Sequence, residues 1–260
     1  MGEAAQRWRD GLASWAIPDE ILQAAPESPW IHPVEMFTVE LPVPDSPSHR
    51  LAREALPDAG SVLDVGCGGG RAALALVPPA GRLVGVDHQQ GMLDAFAQVA
   101  ASLGVDYDGI LGDWPEAAPQ TPDADVAVCH HVAYNVADLG PFLLALDAHA
   151  GRRVVLELPW THPLSGMNPL WEHFWGLRRP TSPTAQDALD LAREVGLDAH
   201  MDLWDDDQPR AVVSPEQQAR FTRIRLCLPP EREPEVAAYL ASAPPAGPRR
   251  LAALWWDTAS

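Results

Sequence analysis

The 260-residue sequence has no lysine: its 18 basic residues are all arginine, against 36 acidic residues, giving a formal net charge of −18. A Walker-type phosphate loop is thereby excluded, because that loop needs a lysine to reach the phosphates. The acidic balance also argues against a DNA or RNA partner, whose binding relies on basic side chains displacing counterions. Cysteine is scarce. Cys67, Cys129 and Cys227 are odd in number, far apart and set in apolar surroundings, so they read as reduced core thiols of a cytoplasmic protein, not as a disulfide frame or a zinc cluster. Long apolar runs are missing too, so neither a transmembrane helix nor a membrane partner is expected. The first 15 residues carry acidic side chains and no apolar signal core, so secretion is not expected.

What is present is a chain with 47% hydrophobic residues, enough for one large domain with insertions. From residue 61 onward, apolar strand patterns alternate with helical ones: strands at 61–66, 82–87, 105–113, 125–130 and 152–160, with helices at 71–77, 89–104 and 138–150 between them. That alternation implies βαβ units and an α/β fold whose parallel sheet is covered on both faces. A helix at 184–198 and strands at 199–204 and 249–257 complete the pattern. Three segments lie outside it: an N-terminal helical and extended stretch over 1–58, and insertions at about 160–183 and 208–248 within the main domain, 59–260. Tryptophan is concentrated in these additions and near the C-terminus, as a lid or substrate wall requires; packing of the additions onto the sheet is the plainer alternative.

The first strand runs into "VLDVGCGGG", with Asp64, Gly66, Gly68 and Gly70 alternating between a strand and a helix. Glycines allow a tight turn and close approach of a ligand to the backbone, and the following helix N-terminus offers unpaired N–H groups. The dinucleotide fingerprint G-x-G-x-x-G fails, since Arg71 stands at its last position. Strand two ends at Asp87, about where an acidic residue reaches ribose hydroxyls, and strand three ends in "GDWPE" with Gly112, Asp113 and Trp114. Acidic ends on three consecutive strands surround one crevice.

These motifs, with "LVGVDHQQGML" and "DVAVCHHVAYNVAD", resemble the successive motifs of class I S-adenosylmethionine-dependent methyltransferases over about residues 60–160. The resemblance implies a Rossmann-like seven-stranded sheet, mostly parallel with the last strand antiparallel, carrying helical additions. It implies S-adenosylmethionine as methyl donor, released as S-adenosylhomocysteine. Asp64 and the loop at Gly66, Cys67, Gly68 and Gly70 would hold the methionine end, Asp87 the ribose, and Asp113 the adenine amino group. Trp114 would flank the adenine, and His88 would line the adenosine.

After strand four, members acting on amino groups of DNA or on glutamine carry an N/D-P-P-Y motif, and this chain has "CHHVAYN" instead. Cys129 follows valine, not the proline of the DNA cytosine class, and no carboxylate lies between Cys129 and Val136 to serve a catechol-type metal site. Adjacent histidines diverge, so His130 and His131 do not suggest a metal site either. A histidine suits removal of an acceptor proton, and His130, His131 and His162 are the candidate bases, with His130 nearer the donor and His131 the better base. The acceptor wall is expected from Trp30, His32 and Phe37, from Tyr134 and Trp160, and from Trp171 and Trp175, with Phe174 and His173 beside them and Arg178 and Arg179 facing an acidic substrate group. The expected activity is methylation of a small-molecule acceptor, on oxygen or nitrogen. The rivals are a peptide or protein methyltransferase, and a donor-binding protein that performs non-methyl chemistry.

Overall fold

The sheet has seven strands: β1 (Ser61–Val65), β2 (Arg82–Asp87), β3 (Asp106–Leu111), β4 (Ala124–His130), β5 (Ala150–Pro159), β6 (His200–Asp206) and β7 (Arg249–Asp257). The computed structural model describes residues 2–30, 41–206, 214–244 and 247–259. The strands lie in the order β3-β2-β1-β4-β5-β7-β6. β7 runs antiparallel to β5 and β6, and the remaining pairs are parallel, as the resemblance implies. The central strands are apolar on both sides because both faces are covered. The order turns back between β1 and β4, so the loops after these two strands leave in opposite directions and open a crevice at the carboxyl edge.

One face carries α3 (Pro47–Ala55), α4 (Arg71–Leu74) and α5 (Gln90–Leu103), with Ala52, Leu76 and Phe96 in its core. The other carries α1 (Glu3–Ala13), α6 (Leu139–His149) and α8 (Ala185–Glu194), around Trp8, Phe142 and Leu189. Caps set the helix limits. Ser46 opens α3 in a reciprocal box with His49, Thr184 opens α8 with Asp187, and Gly104 closes α5 in the left-handed conformation. The helix expected over 71–77 stops at Leu74, ahead of Pro78 and Pro79, which cannot continue a helix.

The described residues among the first 58 are shared among three places. α1 lies in the outer layer against α6 and α8, where Trp8 is fully buried and its Nε1 donates to the Val136 carbonyl at 2.8 Å. α3 covers the opposite face. α2 (Asp19–Ala24) and the residues flanking it join the insertions: Ile17 and Ile21 pack with Leu170 and Trp171 of α7 (Asn168–Trp175) and with Leu226 and Val236, next to or within α9 (Pro215–Arg225) and α10 (Glu233–Ser242). Buried Arg223 pins this helical cap, donating to Glu27 at 2.6 Å and Glu233 at 3.0 Å. Strand direction fixes where the cap sits. β5 and β6 end, and β7 begins, at the carboxyl edge, so both insertions spring from the edge that bears the crevice.

Candidate active site

The glycine loop is built of two close contacts and one open position. Gly66, Gly68 and Gly70 all have positive φ, 66°, 51° and 85°. A Cβ on Gly66 would fall 2.4 Å from Val132, and one on Gly70 would fall 2.2 Å from the Phe96 ring, whereas one on Gly68 would meet nothing within 4 Å. The outer two glycines therefore let loop and core meet, and the middle one presents bare backbone to open space. Asp87 ties the loop to β2: Oδ2 accepts the Gly68 N–H at 2.9 Å and Oδ1 accepts the Gln89 N–H at 2.9 Å. A carboxylate oxygen has a second acceptor site, so Asp87 retains capacity for a ligand hydroxyl at the crevice.

Two residues expected to touch the donor are turned inward. Asp64 is buried, and its Oδ2 accepts the Ala73 N–H at 3.2 Å, so it caps the first turn of α4 from beneath. Burial, opposed by that hydrogen bond, pushes its carboxyl up to about 8. Cys67 is buried with its sulfur toward Gly85; burial, helped by Asp64 and Asp87, drives its thiol far above the ordinary range. Its amide is also used, donating to the Val86 carbonyl at 3.1 Å. Alternation along a strand–turn cannot tell which loop positions face down; here Cys67 and Asp64 do, and Gly68 does not. On β3's exit, Gly112 donates its N–H to the Asp87 carbonyl at 3.0 Å, Asp113 is exposed, and Trp114 is half-buried with Nε1 donating to the Phe142 carbonyl at 3.2 Å. His88 is exposed beside Asp87, its Nδ1 3.8 Å from Asp87 Oδ1.

Across the switch point, the carboxyl ends of β4 and β5 carry a polar cluster centred on Glu157. His130 and Glu157 are register partners. Glu157 Oε1 lies 3.1 Å from His131 Nε2, while Oε2 accepts from Ser46 Oγ at 3.1 Å and from Ser48 Oγ at closer range. Burial alone would raise this carboxyl, but the two imidazoles and the hydrogen bonds from His131 and Ser48 outweigh it and hold it well below the usual carboxylate range. His131 is latched twice, since its N–H also donates to the Glu157 carbonyl at 2.7 Å. Its φ of 62° is uncommon for a residue with a side chain, and its ring stays 45% exposed.

The other two candidate bases are more enclosed. Burial, which outweighs the pull of Glu157, pushes His130 down to about 3; a ring that holds a proton so weakly is a poor base near neutrality. Its Nε2 is enclosed with no hydrogen-bond partner among the described residues, and its ring stacks on His49 at 5.2 Å. His162 is pushed down to about 4 by burial and then by Arg179. Its Nδ1 accepts the Leu164 N–H at 3.2 Å, so the neutral ring carries its proton on Nε2 and has no free acceptor nitrogen. Stacked on Trp15 at 4.0 Å, it is a packing residue.

Several expected wall residues make packing and hydrogen-bond contacts within the protein. Tyr134 is buried, stacks on Trp8 and donates its hydroxyl to the Pro159 carbonyl at 2.9 Å. Trp171 is buried in the cap's core, and Arg179 lies over its ring at 5.2 Å while donating to the carbonyls of Trp15 and Ala16. Arg178 is exposed and paired with Glu172 at 3.1 Å. Trp160 is half-buried against the α1-side core, Phe174 is half-buried in the cap, and His173 is exposed against Tyr239. Trp175 is 37% exposed with Nε1 donating to the Leu226 carbonyl at 2.8 Å, and Trp30 is 50% exposed. His32 and Phe37 lie outside the described residues. Among the described residues, no three His, Cys, Asp or Glu side chains group as metal ligands, and no helix is long and apolar enough to cross a membrane.

Residues of this cluster that the sequence did not single out are Glu157, Ser46 and Ser48. A lone acidic residue in the apolar run "VVLELP" was the available signal for Glu157. The serines sat in an unpatterned proline-rich stretch and gave none.

A family model for a methyltransferase domain matches residues 62–146. A curated Haemophilus influenzae protein of uncharacterised function is 32% identical over 97 residues, which are 37% of this chain and 36% of that protein; the chain thus spans about a third of that relative. Among solved structures, the YcgJ protein of Bacillus subtilis aligns over 82% of this chain and 98% of its own, with a TM-score of 0.55 and 17% identity. An S-adenosylmethionine-dependent methyltransferase of Geobacter sulfurreducens, solved with S-adenosylhomocysteine, aligns over 86% and 97%, with a TM-score of 0.53 and 18% identity. At these identities the structural likeness is one of fold. Sheet order and the glycine loop agree with the fold of class I S-adenosylmethionine-dependent methyltransferases, and residues 62–146 are similar to a methyltransferase domain.

Proposed function

We propose that this chain is a cytoplasmic enzyme that transfers a methyl group from S-adenosylmethionine to a small-molecule acceptor, through oxygen or nitrogen. The observation that carries the donor reading is the bare face of Gly68 beside Asp87: a side chain would occupy that space, and none does. Gly68 and Gly112 would line the donor, Asp87 would take the ribose hydroxyls and Asp113 the adenine amino group, with the half-buried Trp114 ring and His88 flanking it. Bound there, S-adenosylmethionine would supply a methyl group on a sulfonium, already activated for displacement. The protein's task is then alignment and removal of a proton. His131 is the base, because it alone of the three candidate histidines combines exposure at the crevice edge with a free ring nitrogen.

The helical cap over the same edge would supply the acceptor wall through Trp175 and Trp30, whose rings remain accessible. Unpaired Cys67, Cys129 and Cys227 fit a reducing compartment. The test is release of S-adenosylhomocysteine with small-molecule acceptors against peptides of mixed sequence. Turnover with small acceptors, lowered by His131→Ala without equal loss of donor affinity, is the expected result; activity confined to peptides would refute the acceptor class.

A further inference from the structure

We infer that Glu157, held by Ser48, is a positioning residue that fixes the proton of His131 on Nε2 and leaves Nδ1 to take the proton of a hydroxyl acceptor. The inference rests on the methyl-transfer reading for its chemistry, but its structural half stands on contacts alone. Glu157 Oε1 faces His131 Nε2 at 3.1 Å, and Oε2 faces the hydroxyls of Ser46 and Ser48. An ionised carboxylate only accepts, so all three neighbours donate to it. A neutral imidazole that donates from Nε2 carries its lone pair on Nδ1, and Nδ1 of His131 has no partner among the described residues. The backbone latch at 2.7 Å and the left-handed φ of 62° hold the His131 main chain against Glu157, so the ring starts from a fixed Cα beside that carboxylate. The arrangement follows the logic by which a buried carboxylate sets tautomer and orientation of a catalytic imidazole.

The acceptor class follows from where protons must go. A neutral amine attacks with its lone pair and sheds a proton after the new bond exists, so it needs no base during transfer. A hydroxyl needs one. Its oxygen gives its proton to Nδ1 of His131 as an oxygen electron pair takes the methyl group, and the carbon–sulfur pair stays with the donor sulfur. The imidazolium left behind is balanced by Glu157, and the donor's positive charge is consumed. The other charged or titratable groups facing this cluster are His130 on β4, His49 and Arg53 on α3, Asp45 before it, and Arg71 on α4. His49 and His130 are both held neutral chiefly by burial, so Glu157 is the carboxylate in contact with the His131 ring.

Two readouts test this on the full chain. Long-range ¹⁵N–¹H correlation of histidine-labelled protein reports the tautomer of His131 without any acceptor. The wild type should show His131 protonated on Nε2, and Glu157→Gln or Ser48→Ala should erode that preference. A wild-type proton on Nδ1, or a tautomer indifferent to both variants, would overturn the positioning role. Turnover is then read as S-adenosylhomocysteine release with simple phenols and with benzylamines as probes. Phenols should be methylated, and Glu157→Gln should lower their kcat roughly ten- to hundredfold, within the range of general-base catalysis, while donor affinity holds and the acidic limb of the pH–rate profile moves. Ser48→Ala, which leaves the carboxylate in place, should cost less. Methylation of amines alone, or wild-type turnover in Glu157→Gln, would overturn the hydroxyl assignment. If wild type binds donor yet methylates neither class, both the methyl-transfer reading and the hydroxyl assignment fall, and the tautomer measurement decides on Glu157 separately.

Discussion

Substituting alanine separately at Gly70 and Gly68 divides the loop's packing from its ligand face. At Gly70, φ is 85° and the added Cβ would lie 2.2 Å from the Phe96 ring, which is fully buried and cannot retreat. The left-handed backbone costs about 1–2 kcal/mol, and overpacking a closed core costs about 1–3 kcal/mol more. Their sum is about 2–5 kcal/mol. For a domain of this size each kcal/mol lowers Tm by roughly 2–4 °C, so Gly70→Ala should melt on the order of 10 °C below wild type. At Gly68, φ is 51° and the Cβ meets nothing within 4 Å, so only the backbone penalty applies and the melting point should drop by roughly half as much. Donor affinity should respond in the reverse order relative to stability: Gly68→Ala places a methyl in the space left for ligand. Thermal unfolding by circular dichroism and calorimetric titration with S-adenosylhomocysteine read the two effects. A Gly70→Ala protein as stable as wild type, or a Gly68→Ala protein that binds undiminished, would refute this division.

The Asp64 carboxyl, raised to about 8 against an ordinary 3.8, keeps its proton in the folded chain over a range where the unfolded chain has lost it. Its contribution to stability is therefore present below about pH 4 and lost as pH rises toward 8. Asp64→Asn should remove that fall, gaining melting temperature over wild type progressively from pH 5 to pH 8; a constant difference would contradict it. Tyr134→Phe leaves the Pro159 carbonyl short of its partner and should cost about 1 kcal/mol in chemical denaturation with turnover unchanged. A large loss of turnover would return Tyr134 to the acceptor wall.

The sheet was legible because both of its signals are local: apolar runs mark the strands, and acidic residues and glycines mark their carboxyl ends. The crevice followed from the same logic, since every strand end in a parallel sheet points to one edge. Side-chain direction was not legible. Asp64 and Gly68 stand four positions apart in one motif, yet one caps a helix from inside and the other faces open space. Nor did pattern reveal Glu157, whose role depends on serines more than 100 residues earlier in the chain. Aromatic residues were ambiguous for a related reason. Trp171 and Tyr134 looked like walls because they cluster in additions or after β4, but large rings also supply the apolar area that an insertion needs to fold. The cap uses Trp171 in that way, with Arg179 laid over it.

The central claim is that the crevice between β1 and β4 binds S-adenosylmethionine through the glycine loop and Asp87. Isothermal calorimetry of S-adenosylhomocysteine with the wild-type chain and with Asp87→Ala tests it most directly. The account predicts saturable one-to-one binding by wild type and an affinity roughly 10- to 100-fold weaker in the variant, which loses a charged hydrogen-bond acceptor worth about 1.5–3 kcal/mol. No binding heat from a folded wild-type chain at several temperatures, or equal affinity in both proteins, would contradict it.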